Sequence, residues 1–172
     1  MMRIQEEITI RALEILEPKP NSKILDLGCG PGFTSIYLNE LGYRTVALDL
    51  ILEFLSFYSI NELHPINADM CFLPFQPNSF DAVISISALQ WIYREINNPI
   101  MHTQMKSLAK AIDLVLKPKS KGIFQFYPKN DRILKEIGQI ITDYTFLNGN
   151  FIIDNPANPK RRNIFLFLQK RE

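Results

Sequence analysis

Several features are scarce in this 172-residue chain, and each scarcity narrows what the protein can be. There are only two cysteines, Cys29 and Cys71, with no Cys-x-x-Cys pair, which excludes a disulfide framework and a multi-cysteine zinc site. No run of 18 apolar residues exists, so the sequence predicts no membrane span. We therefore expect an intracellular protein, in the cytoplasm or the nucleus, that holds no metal.

The net charge is also small. Lys plus Arg is 19 and Asp plus Glu is 18, which gives a formal net charge of +1. A protein that holds nucleic acid through its overall field would be more basic, so any such contact must come from a local patch or from a partner. The hydrophobic content of 47% and charged content of 22% are ordinary for a globular protein. We expect a single domain spanning residues 1–172.

Short apolar runs alternate with helical periodicity along the chain. The apolar runs predict strands over 23–28, 44–49, 65–69, 80–87, 122–127, 146–154 and 163–170. Apolar spacing of three and four residues predicts helices at the start of the chain and over 51–60, 101–116 and 131–142. This alternation predicts an α/β fold, with a seven-stranded, mostly parallel sheet and helices on both faces. Because no helix separates the last two strands, we expect them to form an antiparallel hairpin.

A glycine-rich turn follows the first predicted strand, in the sequence Asp26-Leu27-Gly28-Cys29-Gly30-Pro31-Gly32. Its spacing differs from the GxGxxG of dinucleotide-binding folds, and the missing Gly-Lys-Ser/Thr excludes a P-loop. The acid before the first glycine would repel a pyrophosphate but suits an ammonium group. The motif resembles the first motif of class I S-adenosylmethionine-dependent methyltransferases, which implies S-adenosylmethionine as cofactor and a Rossmann-like class I methyltransferase fold.

Two further acids lie at predicted strand ends. Asp49 ends the second strand and can accept hydrogen bonds from both ribose hydroxyls. The resemblance implies that Asp69 binds the adenine amino group and that Met70 packs on the adenine ring or offers its backbone N–H. Asp81 starts a strand at the opposite rim, and we expect it to form structural hydrogen bonds. The predicted cofactor-binding set is Asp26, Gly28, Cys29, Gly30, Gly32, Asp49, Leu50, Asp69, Met70 and Ser85.

The motifs that are absent after the fourth strand limit the possible methyl acceptors. The stretch 84–91 holds neither an (Asn/Asp)-Pro-Pro-(aromatic) box nor a cysteine, and no histidine lies at a predicted strand end. An acceptor that needs no general base fits this rim, and the N7 of guanine has a free lone pair and no proton to lose. The predicted substrate pocket, where aromatic faces would stabilise a cationic purine, consists of Gln90, Trp91, Tyr127 and Pro128. For Trp91, packing in the core is an equally open interpretation.

Longer motifs make the resemblance more specific. The stretches LPFQPNSFD (73–81), ISISALQW (84–91), FQFYPKN (124–130) and DNPANPKRRNIFLFL (154–168) are similar to the small-subunit ribosomal RNA guanine-N7 methyltransferase family of eukaryotes. This resemblance covers nearly the whole chain and implies methyl transfer to a guanine N7 of small-subunit rRNA, in ribosome biogenesis. Family members also carry an N-terminal segment and a basic C-terminal tail that this sequence lacks. Two alternatives stay open, namely a small-molecule methyltransferase and a non-catalytic scaffold for ribosome assembly.

Contacts with RNA and with a partner protein are also expected. Lys129, Lys160, Arg161 and Arg162 are predicted to lie on the rim of the site, where they could contact RNA phosphates, although a solvated turn is the alternative. The resemblance implies a small zinc-containing methyltransferase activator that adds a strand beside the third strand. The apolar character of 51–60 next to that edge supports such a heterodimer.

Overall fold

A seven-stranded sheet with helices on both faces organises the computed structural model, which describes residues 2–56 and 63–172. The strands are β1 (Lys23–Leu27), β2 (Arg44–Asp49), β3 (His64–Asn67), β4 (Phe80–Ile86), β5 (Leu116–Phe126), β6 (Leu147–Asp154) and β7 (Asn163–Lys170). The helices are α1 (Met2–Leu16), α2 (Phe33–Glu40), α3 (Leu52–Leu55), α4 (Leu89–Ile92), α5 (Pro99–Val115) and α6 (Asp131–Tyr144). The predicted α/β class is confirmed.

The strand order brings the ends of the parallel strands together. The order across the sheet is β3-β2-β1-β4-β5-β7-β6, and β7 pairs antiparallel with both β5 and β6. Strand β6 therefore runs parallel to the first five strands, and its last residue, Asp154, lies at their carboxyl rim. The expected C-terminal hairpin is confirmed, and the link 155–162 lies on the rim where the sequence placed it.

Each face of the sheet is covered by its own helices. On one face, Ile8, Ala12 and Leu16 of α1 are buried against strand residues such as Ile24 and Phe165. On the other face, α5 and α6 bury their apolar residues at the same three- and four-residue spacing against β4, β5 and β7. Removal of this apolar surface from water is the main source of stability for both layers.

Several boundaries differ from the sequence-based expectation. The predicted helix over 101–116 ends at Val115, and β5 starts at Leu116 rather than at 122. The reason is Pro118, which cannot continue a helix and which favours an extended residue before it. Of the helix predicted over 51–60, the structure contains α3, and 57–62 lie outside the described residues. The four-residue helix α4 was not predicted because it is too short to show helical periodicity.

The rim opposite the carboxyl ends is held by Asp81. Its carboxylate accepts hydrogen bonds from the backbone N–H of Lys23 at 2.8 Å and from Nζ of Lys117 at 2.6 Å. These bonds join the starts of β1, β4 and β5, which agrees with the structural role predicted for Asp81. Among the described residues, no helix combines the length and the apolar character that crossing a bilayer requires.

Candidate functional site

A cleft of ≈ 530 Å³ opens at the carboxyl ends of β1 to β4. Strand ends at a change of strand order are the usual ligand site of an open α/β sheet. Trp91, one of the predicted substrate residues, lines this cleft. So do eight of the ten predicted cofactor-binding residues, namely Asp26, Gly28, Cys29, Gly30, Asp49, Leu50, Asp69 and Met70.

The turn after β1 depends on a glycine. Gly28 has a φ of +71°, and its N–H donates to the carbonyl of Leu48 at 2.8 Å. A Cβ at Gly28 would lie 2.4 Å from the Cβ of Ala88, so a larger residue would separate β1 from the segment after β4. Gly32, with a φ of +100°, is the N-cap of α2 and does not line the cleft. It starts the helix next to the cleft, and its predicted contact with the cofactor stays a prediction.

Asp26 lies at the base of the cleft with 1% of its surface exposed. Burial raises the pKa of this carboxyl to about 7, and the nearby charge of Asp49 also raises it. The hydrogen bond from Ser35 Oγ acts in the opposite direction and lowers the pKa. The Ser35 hydroxyl donates to Asp26 Oδ2 at 2.6 Å. Near neutral pH the carboxyl is therefore divided between its charged and neutral forms, and a cationic ligand would favour the charged form.

Backbone N–H groups fix the other two carboxylates of the cleft. Asp49 accepts from the N–H of Gly30 at 2.8 Å and from the N–H of Ile51 at 2.9 Å, one at each oxygen. Asp69 accepts from the N–H of Cys71 at 2.8 Å. Each carboxylate oxygen has a second lone pair, so both acids can still accept hydrogen bonds from a ligand.

The charge of the cleft favours one class of ligand. Three carboxylates line it, and the described lining residues include no lysine, arginine or histidine. Such a lining repels phosphate and favours a ligand that carries hydroxyl and amine donors. Burial, together with the charge of nearby Asp69, raises the pKa of the Cys71 thiol to about 12, which disfavours the thiolate that a nucleophile needs.

Ser85 occupies a different place from the predicted one. It is fully buried, and its hydroxyl donates to the carbonyl of Leu27 at 2.7 Å, which joins β4 to β1. Ser85 is therefore a structural residue of the sheet, not part of the cleft lining. The next serine, Ser87, lines the cleft instead and was missed, although its place directly after the strand was a usable signal.

The predicted substrate residues are only partly brought together. Trp91 on α4 is 70% exposed, so the alternative of core packing does not apply to it. Gln90 does not line the cleft, and its Nε2 donates to the carbonyl of Ser87 at 2.7 Å. Tyr127 and Pro128 follow β5 at the same rim but lie outside the cleft lining.

The four predicted RNA-contacting residues lie at the carboxyl rim, and they differ in whether they form an ion pair. Lys160 and Arg161 are exposed in the link 155–162. Arg162 forms an ion pair with Asp131 at 2.9 Å, and Lys129 lies 3.9 Å from Glu95. Lys160 and Arg161 are thus the members of this group that the described residues leave without an ion pair.

Comparison with known proteins agrees with this geometry. A family model described as a methyltransferase domain matches residues 25–124. The 18S rRNA (guanine(1575)-N(7))-methyltransferase of Saccharomyces cerevisiae is 34% identical, over 92% of this chain and 59% of its own length. The 18S rRNA (guanine-N(7))-methyltransferase of Bos taurus is 33% identical, over 98% of this chain and 62% of its own length. The chain thus spans about three fifths of the length of these curated relatives.

Solved structures share the fold at low sequence identity. Phosphoethanolamine N-methyltransferase 2 of Haemonchus contortus, solved with S-adenosylhomocysteine, has a TM-score of 0.73 at 18% identity and covers 96% of this chain and 53% of its own. A methyltransferase in complex with the Trm112 methyltransferase activator of Haloferax volcanii has a TM-score of 0.71 at 16% identity and covers 100% of this chain and 92% of its own. By its sequence match the chain belongs to the methyltransferase domain family, and it has the class I methyltransferase fold.

Proposed function

We propose that this protein is an S-adenosylmethionine-dependent methyltransferase that acts on the N7 of a guanine in small-subunit rRNA, as part of ribosome biogenesis. The observation that carries the proposal is the match to curated guanine-N7 methyltransferases over 92% to 98% of this chain. We also infer that residues 1–172 form one domain, which the single sheet shared by all seven strands supports.

The acidic cleft fits the proposed cofactor. Asp26 would hold the ammonium of its methionine part, Asp49 the two ribose hydroxyls, and Asp69 with Met70 the adenine. This assignment is supported by the three carboxylates that line the cleft and by the acceptor capacity that their backbone hydrogen bonds leave open. When bound, the cofactor would supply an electrophilic methyl group at a sulfonium centre.

The chain's own part in the reaction is alignment and exclusion of water. Guanine N7 has no proton to lose, so an acceptor of this kind suits a cleft whose described lining offers no histidine or lysine as a base. The exposed indole of Trp91 is available to stack on the purine and to stabilise the positive charge that it gains. Holding the two reactants in line can itself contribute several orders of magnitude in rate.

The substrate class follows from charge as well as from similarity. Lys160 and Arg161 would contact phosphates on the same rim of the sheet as the cleft, where they position RNA without reading its sequence. A net charge of +1 is small for an enzyme that binds RNA alone. The ribosomal particle or a partner would supply the remaining contacts. An rRNA substrate would place the protein inside the cell, in the cytoplasm or the nucleus.

An activity assay separates this function from a small-molecule methyltransferase and from a scaffold. The purified chain, alone and co-expressed with a candidate activator, is incubated with S-adenosylmethionine labelled in its methyl group. We expect label in small-subunit rRNA and none in phosphoethanolamine, with Asp49→Ala as a variant that lacks transfer. Label in phosphoethanolamine alone, or cofactor binding without any transfer to rRNA, would contradict the proposal.

We further propose a small zinc-containing activator protein as partner, bound along β3. β3 is an edge of the described sheet. Two exposed apolar side chains lie on the segments next to it, Leu52 of α3, which contacts β3, and Phe72, which follows β3; we call these two residues the β3-side surface. An exposed apolar patch next to a free strand edge is typical of a protein interface. The activator-bound neighbour from Haloferax volcanii, which has the same fold, agrees with such a partner.

A further inference from the structure

Three side chains form a polar cluster at the carboxyl ends of β4 and β5. Ser87 follows β4 and lines the cleft, while Gln125 of β5 is fully buried behind it. Gln90, at the start of α4, completes the group. Neither the cofactor assignment nor the aromatic contact described above uses Ser87 or Gln125.

The backbone of Ser87 is held in an unusual conformation. Its φ is +59°, in the left-handed region that residues with a Cβ seldom adopt. The N–H of Ser87 donates to the carbonyl of Gln125 at 2.9 Å, and the carbonyl of Ser87 accepts from Nε2 of Gln90 at 2.7 Å. Backbone strain that is fixed by its surroundings in this way is concentrated at functional sites.

The direction of the Ser87 hydroxyl is also fixed. Its Oγ donates to Oε1 of Gln125 at 3.0 Å. A hydroxyl has one proton, so Oγ keeps only its lone pairs for the cleft. Ser87 is therefore presented as a hydrogen-bond acceptor.

In this arrangement each of the two glutamines has one buried polar atom without a hydrogen-bond partner among the described residues. Within the described part of the chain, the buried Oε1 of Gln90 and Nε2 of Gln125 have no hydrogen-bond partner. Unpaired buried polar atoms are uncommon and cost stability, so a packed apolar pair would suit the fold better. A cluster that opposes folding at the edge of a ligand cleft points to a role in function.

We propose that Ser87 is a specificity-determining residue, which accepts a hydrogen bond from an N–H group on the Watson–Crick edge of the target base, and that Gln125 is the positioning residue that orients its hydroxyl. This inference rests on the proposed guanine-N7 function. Guanine has donors at N1 and at its 2-amino group, whereas adenine has an acceptor at N1, no 2-amino group, and a Watson–Crick donor only at its 6-amino group, where guanine has an acceptor. An acceptor at Ser87 that meets N1–H or the 2-amino group thus favours guanine, although both purines carry an N7 lone pair.

The test compares base analogues that keep N7. The guanine that the unchanged chain methylates is mapped and then replaced, in the same small-subunit rRNA fragment, by hypoxanthine, which lacks the 2-amino group, or by 2-aminopurine, which lacks N1–H. We expect kcat/KM for guanine to exceed that for at least one analogue by about tenfold, the loss of one hydrogen bond. Ser87→Gly, which accepts a positive φ without strain, should lose this preference while it keeps the fold and the affinity for S-adenosylmethionine.

Two further variants examine the positioning role. Gln125→Leu should lower the same guanine preference while cofactor affinity stays unchanged, and Gln104→Leu on α5 is the matched control that should change neither. An unchanged guanine preference in both Ser87→Gly and Gln125→Leu would overturn the inference but leave the proposed function intact. If the unchanged chain transfers no methyl group to rRNA, the proposed function fails and this inference fails with it.

Discussion

At the scale of single residues, Asp26 shows how the site opposes the stability of the fold. Its pKa is raised by burial to about 7, so the folded protein binds a proton there more tightly than the unfolded chain, whose value is 3.8. The stability that this proton contributes is fully present below pH 3.8 and is lost as the pH rises through about 7. The cleft thus carries a carboxylate whose charged form destabilises the protein until a cation binds.

The substitution Asp26→Asn separates these two effects. We expect the variant to unfold at a higher temperature than the unchanged protein at pH 8, because the neutral amide has no buried charge to desolvate. We also expect its affinity for S-adenosylmethionine to fall at least tenfold, since the charge-assisted contact to the ammonium is lost. Calorimetric unfolding and titration measure both. A variant with unchanged cofactor affinity would show that Asp26 does not hold the ammonium.

The affinity for the cofactor should itself depend on pH. Since the charged form of Asp26 is needed, we expect the dissociation constant for S-adenosylmethionine to rise as the pH falls below about 7, with uptake of a proton by Asp26 as its cause. Titration calorimetry from pH 5.5 to 8.5 measures this. A dissociation constant independent of pH over that range would place the ammonium elsewhere.

Gly28 carries a second prediction at this scale. Gly28→Ala would bring the new Cβ to 2.4 Å from the Cβ of Ala88, so we expect the segment after β4 to move and cofactor affinity to fall at least tenfold. Gly42→Ala is the matched control, since Gly42 also has a positive φ, its Cβ would meet no atom within 4 Å, and it does not line the cleft. Equal losses in the two variants would mean that backbone strain, not the close approach, sets the effect.

At the scale of elements, the sequence identified strands better than short helices. The runs 44–49 and 163–170 match β2 and β7 in full. A short run of continuous apolar residues bounded by turns favours a strand over a helix, so its ends are well predicted. The position of β7 between β5 and β6 depends on long-range pairing that no local pattern encodes. In the site, eight predicted cofactor residues line one cleft because glycines and acids at strand ends are local signals. Ser85 was misplaced because the sequence alone does not give the direction of a side chain in a strand buried on both faces.

The link 155–162 is the element that we expect to contact RNA. Replacing Lys160 and Arg161 by alanine removes two exposed positive charges, so the slope of log affinity against log salt should fall by about 2 for small-subunit rRNA. Cofactor affinity should not change. Lys119→Ala with Lys121→Ala, at the opposite rim, is the control and should leave the slope as it is. Equal slopes for both double variants would remove the link from the RNA-binding surface.

At the scale of the whole molecule, a net charge of +1 has a simple explanation. The acids that line the cleft offset the basic residues on the same rim in the net charge. The net charge therefore does not show that acidic and basic residues occupy different parts of that rim. The chain spans about three fifths of its curated relatives, and its own basic surface is small. Chemistry on RNA is compatible with this total, whereas tight binding of RNA by this chain alone is not.

The β3-side surface gives the prediction for assembly. Leu52→Ser together with Phe72→Ser should abolish co-purification with the proposed activator, because both side chains are exposed and apolar. Ile100→Ser together with Phe146→Ser, equally exposed on other parts of the surface, should leave the complex intact. Co-purification that survives the first pair and fails with the second would move the interface away from β3.

The most direct test of the central claim is the chemical identity of the methylated nucleoside. Small-subunit rRNA is treated with S-adenosylmethionine and with the protein, alone and co-expressed with the proposed activator, then digested to nucleosides and analysed by mass spectrometry against standards for each methylguanosine and methyladenosine. The account predicts new 7-methylguanosine in the rRNA, and less of it with Asp26→Asn when S-adenosylmethionine is limiting. A methyl group on any other atom, or no methylated nucleoside from a complex that binds the cofactor, would contradict it.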